Sequence, residues 1–588
     1  PAIPMLNGDE YVTLQLEEWQ NSRGLFEVPP EIAFDKDFVD FYNYSANTNW
    51  ISEITQDAPT HDHYFNISGG GEKTRYFASL GYVDEGGTTI NTKSSRFASR
   101  INLDYFISKK MLFQVKFSYV KNNIQGNLRV GRRNIREMAY IKSPNMSIWD
   151  YDQAGNPTGE YFTPIYSYQG NGVTYFNPVA VANLGKDNRV TNQLENTFML
   201  QYRFNDLLTF RETVSFQYQG RTQNTFLPYN AIGADWLSGS VNSAGESNNL
   251  NQALRTEAQM VFNSPFRNKD HILTGVFSWI TNSRMFEGVN VNSRKNPSVD
   301  NQDPSINAHI GNISSYSAKY MDLSGVANVN YKYLDRYMLQ TNYRADGSSA
   351  FGESNRWGNF YGVSLGWRFS NEDFLSSLDF MNESMLRFSW GISGRKPSDA
   401  FARFATYEST STGSYWKNPA INITSPQLEN LRWESISSFD IGLEFNLWDN
   451  RFFIEGDIYQ KVTSDILFRN YNIPLSSGFD RLSYFNGGEM TNTGWEIMLD
   501  WRIIRTKDWL LSVNFNTSQN TNVFNELPDN FNSERSTTIG NGQYPQIVVQ
   551  GQPIGSFYGF RYRGVWASDG DVVARDPDGN ILRDSEGV

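Results

Sequence analysis

The chain has no cysteine. Disulfides, thiolate metal sites, a cysteine nucleophile and a lipidated cysteine within these residues are therefore excluded. Histidine is nearly as scarce, at four in 588 residues, which leaves little material for an imidazole metal centre. Basic residues are in deficit: 51 Lys and Arg stand against 63 Asp and Glu, a net charge of −12. Phosphate backbones call for the opposite balance, so no nucleic acid partner is expected. No long uninterrupted apolar run exists, which excludes a membrane-spanning helix. Residues 1–10 have neither the basic nor the apolar part of a secretory leader, and no phosphate-cradling Walker loop occurs anywhere.

What the chain does have is alternation. In Gln193–Phe204, Leu194, Phe198, Leu200, Tyr202 and Phe204 share one parity, and Gln193, Glu195, Thr197, Gln201 and Arg203 the other. After Asn205-Asp206 the pattern resumes, with Leu208, Phe210, Val214, Phe216 and Tyr218 opposed to Thr209, Arg211, Thr213, Ser215 and Gln217. A period of two is the mark of a strand with one apolar and one polar face. The same rhythm begins near Tyr64 and recurs in pairs, such as Leu323–Tyr333 with Tyr337–Tyr343 and Phe439–Leu447 with Phe452–Gln460. Short links join the members of most pairs. The gaps between pairs are mostly long, as at 120–192, 220–252, 282–321, 395–433, 461–493 and 519–551.

Short turns on one side, long loops on the other and spans of about nine to eleven residues predict an all-β fold: a large antiparallel transmembrane β-barrel. Its short turns would be periplasmic and its long loops extracellular. Aromatic residues make up 15% of the chain, the excess expected where rings line two membrane–water interfaces. Roughly seventeen strands can be traced, the last near Ile554–Arg563, whereas bacterial single-chain barrels are even-stranded. The expected organisation is a less regular segment over 1–62, with a short helix over Glu10–Gln20 that Pro29-Pro30 would end. An incomplete barrel over 63–588 would follow. A leader is expected upstream and closing strands downstream.

Five stretches carry a family resemblance. Asn66-Ile67-Ser68-Gly69-Gly70-Gly71-Glu72-Lys73-Thr74-Arg75-Tyr76 through Tyr82 resembles the early barrel of SusC/RagA-type TonB-dependent outer-membrane transporters. So does Arg344-Ala345-Asp346-Gly347-Ser348-Ser349-Ala350-Phe351-Gly352, with Asn355-Arg356-Trp357-Gly358 after it. Leu428-Glu429-Asn430-Leu431-Arg432-Trp433-Glu434 is similar to the family's NPNLKWE box, with Leu428-Glu429 in place of its opening Asn-Pro. Asn492-Thr493-Gly494-Trp495-Glu496 and Gly551-Gln552-Pro553-Ile554-Gly555-Ser556-Phe557-Tyr558-Gly559 resemble two later boxes, and all five stand in the family's order. The resemblance implies a complete barrel of about 22 strands around a plug. The plug, the TonB box and the first strand would precede this chain. It also implies uptake of oligosaccharides or oligopeptides, energised through the TonB complex, and a SusD-like lipoprotein as partner.

Other motifs are weaker. Gly362-Val363-Ser364-Leu365-Gly366 matches G-x-S-x-G, but Ser364 falls inside an alternating strand and not on a strand–turn–helix elbow. His61 and His63 would share a strand face. Asp576, Asp578 and Asn580 form D-x-D-x-N, the opening of a calcium loop, yet position 587 is Gly where that loop needs Glu, so a solvated turn is the simpler reading. Arg132, Arg133 and Arg136 make a small basic cluster. Trp149, Tyr161, Tyr166, Tyr168, Tyr175, Trp236, Tyr316, Tyr415 and Trp416 fall in the long gaps. Of these, Trp149, Tyr166, Tyr168, Trp236, Tyr316, Tyr415 and Trp416 are the candidates for stacking on a glycan or gripping a peptide. The expectation is an outer-membrane importer surrounded by lipid, with no catalytic residue and no cofactor. The alternatives are a passive porin or siderophore-type receptor and, more remotely, an outer-membrane enzyme or adhesin.

Overall fold

The computed structural model describes residues 5–23, 28–33, 35–130, 133–164, 176–233, 242–266, 268, 270–306, 310–415, 418–479, 481–528 and 546–559. Sixteen strands form one antiparallel sheet in which chain neighbours are sheet neighbours. The chain divides into two compact units, residues 1–365 with 396–403, and 366–395 with 404–588.

The first unit opens with helices α1 (Gly8–Arg23), α2 (Pro30–Ala33), α3 (Phe41–Tyr44) and α4 (Trp50–Ile54). The expected helix is there, but Pro30 begins a new one, as suits a residue with no N–H to satisfy. Strands β1 (Thr60–Gly70), β2 (Thr74–Gly86), β3 (Lys93–Ser108) and β4 (Met111–Gly126) follow. The connection after β4 holds α5 (Ile135–Ile141), a hairpin of β5 (Trp149–Tyr151) and β6 (Pro157–Tyr161), and α6 (Pro178–Leu184). The sheet resumes with β7 (Lys186–Arg203), β8 (Leu208–Leu227), β9 (Ser243–Phe262), β10 (His271–Ser293), β11 (Ile310–Tyr333), β12 (Tyr337–Ser348) and β13 (Trp357–Trp367). The second unit contains β14 (Met381–Arg395), a hairpin of β15 (Thr406–Tyr415) and β16 (Asn418–Ser425), then β17 (Glu434–Leu447), β18 (Phe452–Asn472), β19 (Arg481–Arg505) and β20 (Leu510–Glu526). The short pair β21 (Gln546–Ile547) and β22 (Ser556–Phe557) ends the described chain.

In each unit the apolar parity stands bare. Phe97, Ile101 and Tyr105 on β3, with Phe198 and Tyr202 on β7, are exposed; so are Phe439, Ile441 and Leu443 on β17, and Trp495, Ile497 and Trp501 on β19. A soluble sheet would bury these rows, whereas a lipid-facing sheet presents them. Rings gather beside the tight turns. His271 lies 4.7 Å from Tyr333 and Tyr333 6.3 Å from Tyr337. Phe452 lies between Trp448, at 5.7 Å, and Trp501, at 6.0 Å. This is an interfacial girdle at the turn end of the strands.

Two expectations need correcting. The strands are longer than the alternation suggested: β10, β11 and β19 run 23, 24 and 25 residues. A tilted crossing takes about nine to eleven. Beyond the hydrocarbon both faces are polar, so the period-two signal fades while backbone pairing continues. Much of what read as loop in 220–252 and 282–321 is therefore strand. Of the strand expected near Ile554–Arg563, residues 554–559 hold the two-residue β22, paired with β21 outside the main sheet, and residues 560–563 lie outside the described residues.

The compact core lies at the long-loop end of the first unit. Tyr44, Trp50, Ile54, Val130, Ile135, Met138, Met146, Phe162, Val181 and Ile232 bury one another there, bringing together the N-terminal helices and the connections after β4 and β8. Caps written in the sequence start its helices. Asn134 and Glu137 form a reciprocal capping box on α5. Asn177 caps α6, with Pro178 at the first helical position.

Candidate functional site

Three buried asparagines hold this outer assembly together. The Asn43 side-chain nitrogen donates to Asp150 Oδ1 at 3.2 Å and to the Tyr151 carbonyl at 3.1 Å, and its oxygen accepts from Tyr151 N at 2.8 Å. Asn145 donates to the carbonyls of Glu31 and Tyr44, at 3.1 and 3.2 Å. Asn177 accepts from Val179 N and Ala180 N and donates to the carbonyls of Ile148 and Phe162. Each amide satisfies backbone groups that burial would otherwise leave unpaired.

A cavity of about 590 Å³ opens against this core, lined by Tyr11, Asn47, Trp50, Tyr140, Lys142 and Ser143 among others. Trp50 Nε1 donates to the Ser143 carbonyl at 2.9 Å, and Ser143 Oγ to Tyr11 Oη at 3.2 Å. Burial lowers the Lys142 ammonium to a pKa of about 7, because desolvation penalises the charged form. Rings, amides and a partly neutral amine in a cavity of this size suit a polar organic group. Sequence reasoning missed this cavity, whose parts lie more than a hundred residues apart in the chain. The one local signal for it is Asn134 with Glu137 three residues on, which starts the helix whose last turn lines the cavity.

The predicted aromatic positions divide. Trp149 is exposed on β5 and stacks on Tyr161 of β6, with ring centroids 4.6 Å apart at an interplanar angle of 18°. Asn183 of α6 donates to Tyr161 Oη at 2.9 Å and steadies the pair. The adjoining turn is fixed by Asp152, whose carboxyl is held below the usual range by the backbone N–H of Asn156 and further hydrogen bonds from Asn156, Ala154 and Gly155. Tyr316 lies on β11, not in a loop. It is half-exposed, donates to Asn249 Oδ1 at 3.0 Å, and crosses Gly288, where an added Cβ would fall 2.3 Å from its ring. Tyr415 ends strand β15 opposite Asn418. Tyr166, Tyr168, Tyr175, Trp236 and Trp416 lie outside the described residues, as do Arg132 and Asp576, Asp578 and Asn580. Among the described residues no group of acidic side chains and histidines has a metal-binding arrangement. His61 and His63 are exposed on β1. Ser364 lies within β13, and the chain continues into two short 3₁₀ turns, Phe369–Asn371 and Asp373–Leu375, not an α-helix. Arg136 donates to the hydroxyls of Thr88 and Thr89, at 2.7 and 3.0 Å, and so serves the assembly.

The polar face of the second unit carries strong charge. Arg387 of β14 meets Glu444 of β17 at 2.9 Å and Glu455 and Asp457 of β18, the latter at 3.0 Å. One cation thus serves three carboxylates across three neighbouring strands. At the long-loop end, the Leu428–Glu434 box acts as a hub. Arg432 N donates to Asn486 Oδ1 at 2.9 Å, and Asn486 donates to the carbonyls of Arg432 and Asp465. The Arg432 guanidinium pairs with Asp465, and buried Glu434 accepts from Leu467 N at 3.0 Å.

Antiparallel strands in chain order, bare apolar rows, rings along the turn end and a charged polar wall define an outer-membrane β-barrel. A family model described as TonB dependent receptor-like, beta-barrel, matches residues 139–585, and the chain belongs to that family. It is 28% identical over 520 residues to TonB-dependent receptor P39 of Formosa agariphila, covering 87% of this chain and 46% of that one. It is 26% identical over 609 residues to TonB-dependent receptor SusC of Bacteroides thetaiotaomicron, covering 99% and 58%. Among solved structures, that of the RagAB peptide transporter superposes with a TM-score of 0.76 at 21% identity, over 98% of this chain and 65% of that one. The chain is of the SusC/RagA type within the family, and spans about half the length of the curated relatives it matches.

Proposed function

We propose that this chain is the barrel part of an active importer that takes oligosaccharides or oligopeptides across the outer membrane, energised by the TonB complex and working with a SusD-like lipoprotein. The observation that carries the reading is the outer assembly. A porin needs a wall and a mouth, whereas here four N-terminal helices and two long connections build a packed body at the long-loop end. A body of that kind suits capture of a large solute or docking of a lid protein. The names of SusC and of the RagAB peptide transporter support the class and leave sugar and peptide both open. We assign Trp149 and Tyr316, with Tyr166, Tyr168, Trp236, Tyr415 and Trp416, to contacts with cargo or partner. On this reading the chain binds and gates and performs no bond chemistry.

The test is energised uptake by cells carrying the whole protein, using labelled oligosaccharide and oligopeptide pools. Uptake of one pool that stops when TonB is deleted, and co-purification of a surface lipoprotein, support the reading. Uptake indifferent to TonB would identify a passive pore and overturn it. Trp149→Ala should weaken capture of the transported pool by about tenfold, the worth of one aromatic contact.

A further inference from the structure

We infer that the polar wall of the first unit holds an anion-binding recess near its tight-turn end. The recess has a volume of about 440 Å³ and is lined by Gln114, Lys116, Thr197, Gln201, Arg211 and Thr213 with two apolar neighbours. Strand register explains why these residues meet. Lys116 faces Thr197 across β4 and β7, and Gln201 faces Arg211 across β7 and β8, with Met199 opposite Thr213 between them. They are successive rows of one sheet face, beside the turns that end β3 and β7.

Two cations and no carboxylate line this recess. Arg211 Nη2 donates to Gln201 Oε1 at 3.0 Å, while its Nε is buried with no acceptor. A buried donor without an acceptor costs free energy until one arrives. Lys116 is exposed to the recess and forms no ion pair among the described residues. The nearest acids on the same wall already hold partners: Asp104, opposite Gln114 at the rim, accepts from it at 2.8 Å, Glu257, opposite Thr213, pairs with Arg255 at 2.8 Å, and Glu195 accepts from Gln193 at 2.9 Å. The excess of positive charge continues along the wall, because Arg100, in the row that pairs β3 with Ser118, also forms no ion pair among the described residues, and Arg75 lies over the Phe106 ring. A guanidinium, an ammonium, two amides and two hydroxyls around one space make a receptor for an oxyanion: a carboxylate, phosphate or sulfate. The site rests on wall geometry and holds whether or not the chain imports anything.

The oxyanion has two sources, an acidic solute or a carboxylate side chain from another part of the same protein. Calorimetric titration of the whole purified protein with tetraglutamate, tetraglutamine and sodium sulfate separates them. In the first case tetraglutamate or sulfate binds, tetraglutamine does not, and the Lys116→Gln/Arg211→Gln variant binds at least about tenfold more weakly, the loss expected for two charge-assisted hydrogen bonds. In the second case no probe binds the wild type, the Gln variant unfolds at lower temperature, and the charge-preserving Lys116→Arg/Arg211→Lys variant keeps wild-type stability. Equal binding by wild type and Gln variant overturns the proposal. So does equal melting with no binding, or an equal loss of stability in both double variants, which would assign the residues to packing alone.

Discussion

Asn177→Ala should loosen the outer assembly while leaving the barrel folded. The side chain is fully buried and makes four hydrogen bonds. Loss of the cap on Val179 N and Ala180 N costs about 1 kcal/mol. The two carbonyls are not equivalent. Ile148 O keeps a second donor, Phe162 N at 3.0 Å, and so loses little. Phe162 O, accepting at 3.2 Å in a buried setting, loses a partner, at about 1–3 kcal/mol. The sum is about 2–4 kcal/mol, or roughly a 30- to 1,000-fold rise in the open population of this region. Amide hydrogen exchange of α6 in the detergent-solubilised protein reads that population directly. Protection of Val179–Leu184 should fall by that factor, with β7 and β8 unchanged. Asn177→Asp should fare worse than Ala, since it keeps the acceptor but turns the donor against the Phe162 carbonyl and buries a charge. Protection within threefold of wild type in Asn177→Ala, or an equal loss throughout the sheet, would refute the assignment of Asn177 as the local staple.

Other perturbations test other parts of the structure. Arg387→Met leaves Glu444, Glu455 and Asp457 without their shared cation and should lower barrel stability by about 1–3 kcal/mol, less than for a fully buried pair because the groups are partly solvated; urea unfolding should show partial recovery on adding Glu455→Gln, and no recovery would disprove the coupling. Lys142 has a folded pKa of about 7 against an ordinary 10.5, so the unfolded state binds more protons between those values and stability of the outer assembly should rise as pH climbs from 7 toward 10. Its penalty is fully present below pH 7, and Lys142→Met should be more resistant to proteolysis there and flat with pH; a wild-type profile that is already flat would contradict the burial argument. Gly494→Ala places a Cβ 2.5 Å from Tyr459 Oη and 2.6 Å from the Gln519 carbonyl and should cost about 1–3 kcal/mol by overpacking. Tyr459→Ser should rescue it only in part, since the carbonyl stays, and complete rescue would show that the backbone contact is unimportant.

Much of the sheet was legible because its physics is local. Phe439, Ile441 and Leu443 alternate with Asp440 and Glu444 since one parity faces hydrocarbon and the other a wet interior, and that contrast is written residue by residue. Tight turns were legible for the same reason. Leu334 and Asp335 both take positive φ, and Arg336 N closes on Tyr333 O at 3.0 Å, which is the turn that matches strand twist. Strand ends were not legible, because the contrast stops where lipid stops. Tyr316 read as a loop residue because its neighbours Ser314, Ser315 and Ser317 are polar on both faces, yet Ser315 pairs with Val289 and Ser317 with Glu287 in an unbroken ladder.

The outer assembly failed to show itself for a different reason. Its order comes from non-local pairs that no period encodes: Asn145 with Glu31, Asn43 with Asp150 and Tyr151, Trp50 with Ser143. Each joins segments about a hundred residues apart, and each uses an asparagine or a tryptophan that in isolation resembles ordinary loop composition. The family boxes follow the same logic. Asn430-Leu431-Arg432-Trp433-Glu434 reads as a motif only by likeness, and its physical content, Arg432 on Asp465 and Asn486 and Glu434 on Leu467, comes from strands that arrive later in the chain. The recess at Lys116 and Arg211 lies between these extremes. Arg211 was visible on the polar parity and Lys116 falls between apolar Val115 and Phe117, but the lack of a carboxylate opposite them becomes a statement about binding only once register sets Lys116 against Thr197 and Arg211 against Gln201. Alternation thus specifies the wall, and pairing across it decides which charges on the wall are left to meet a ligand.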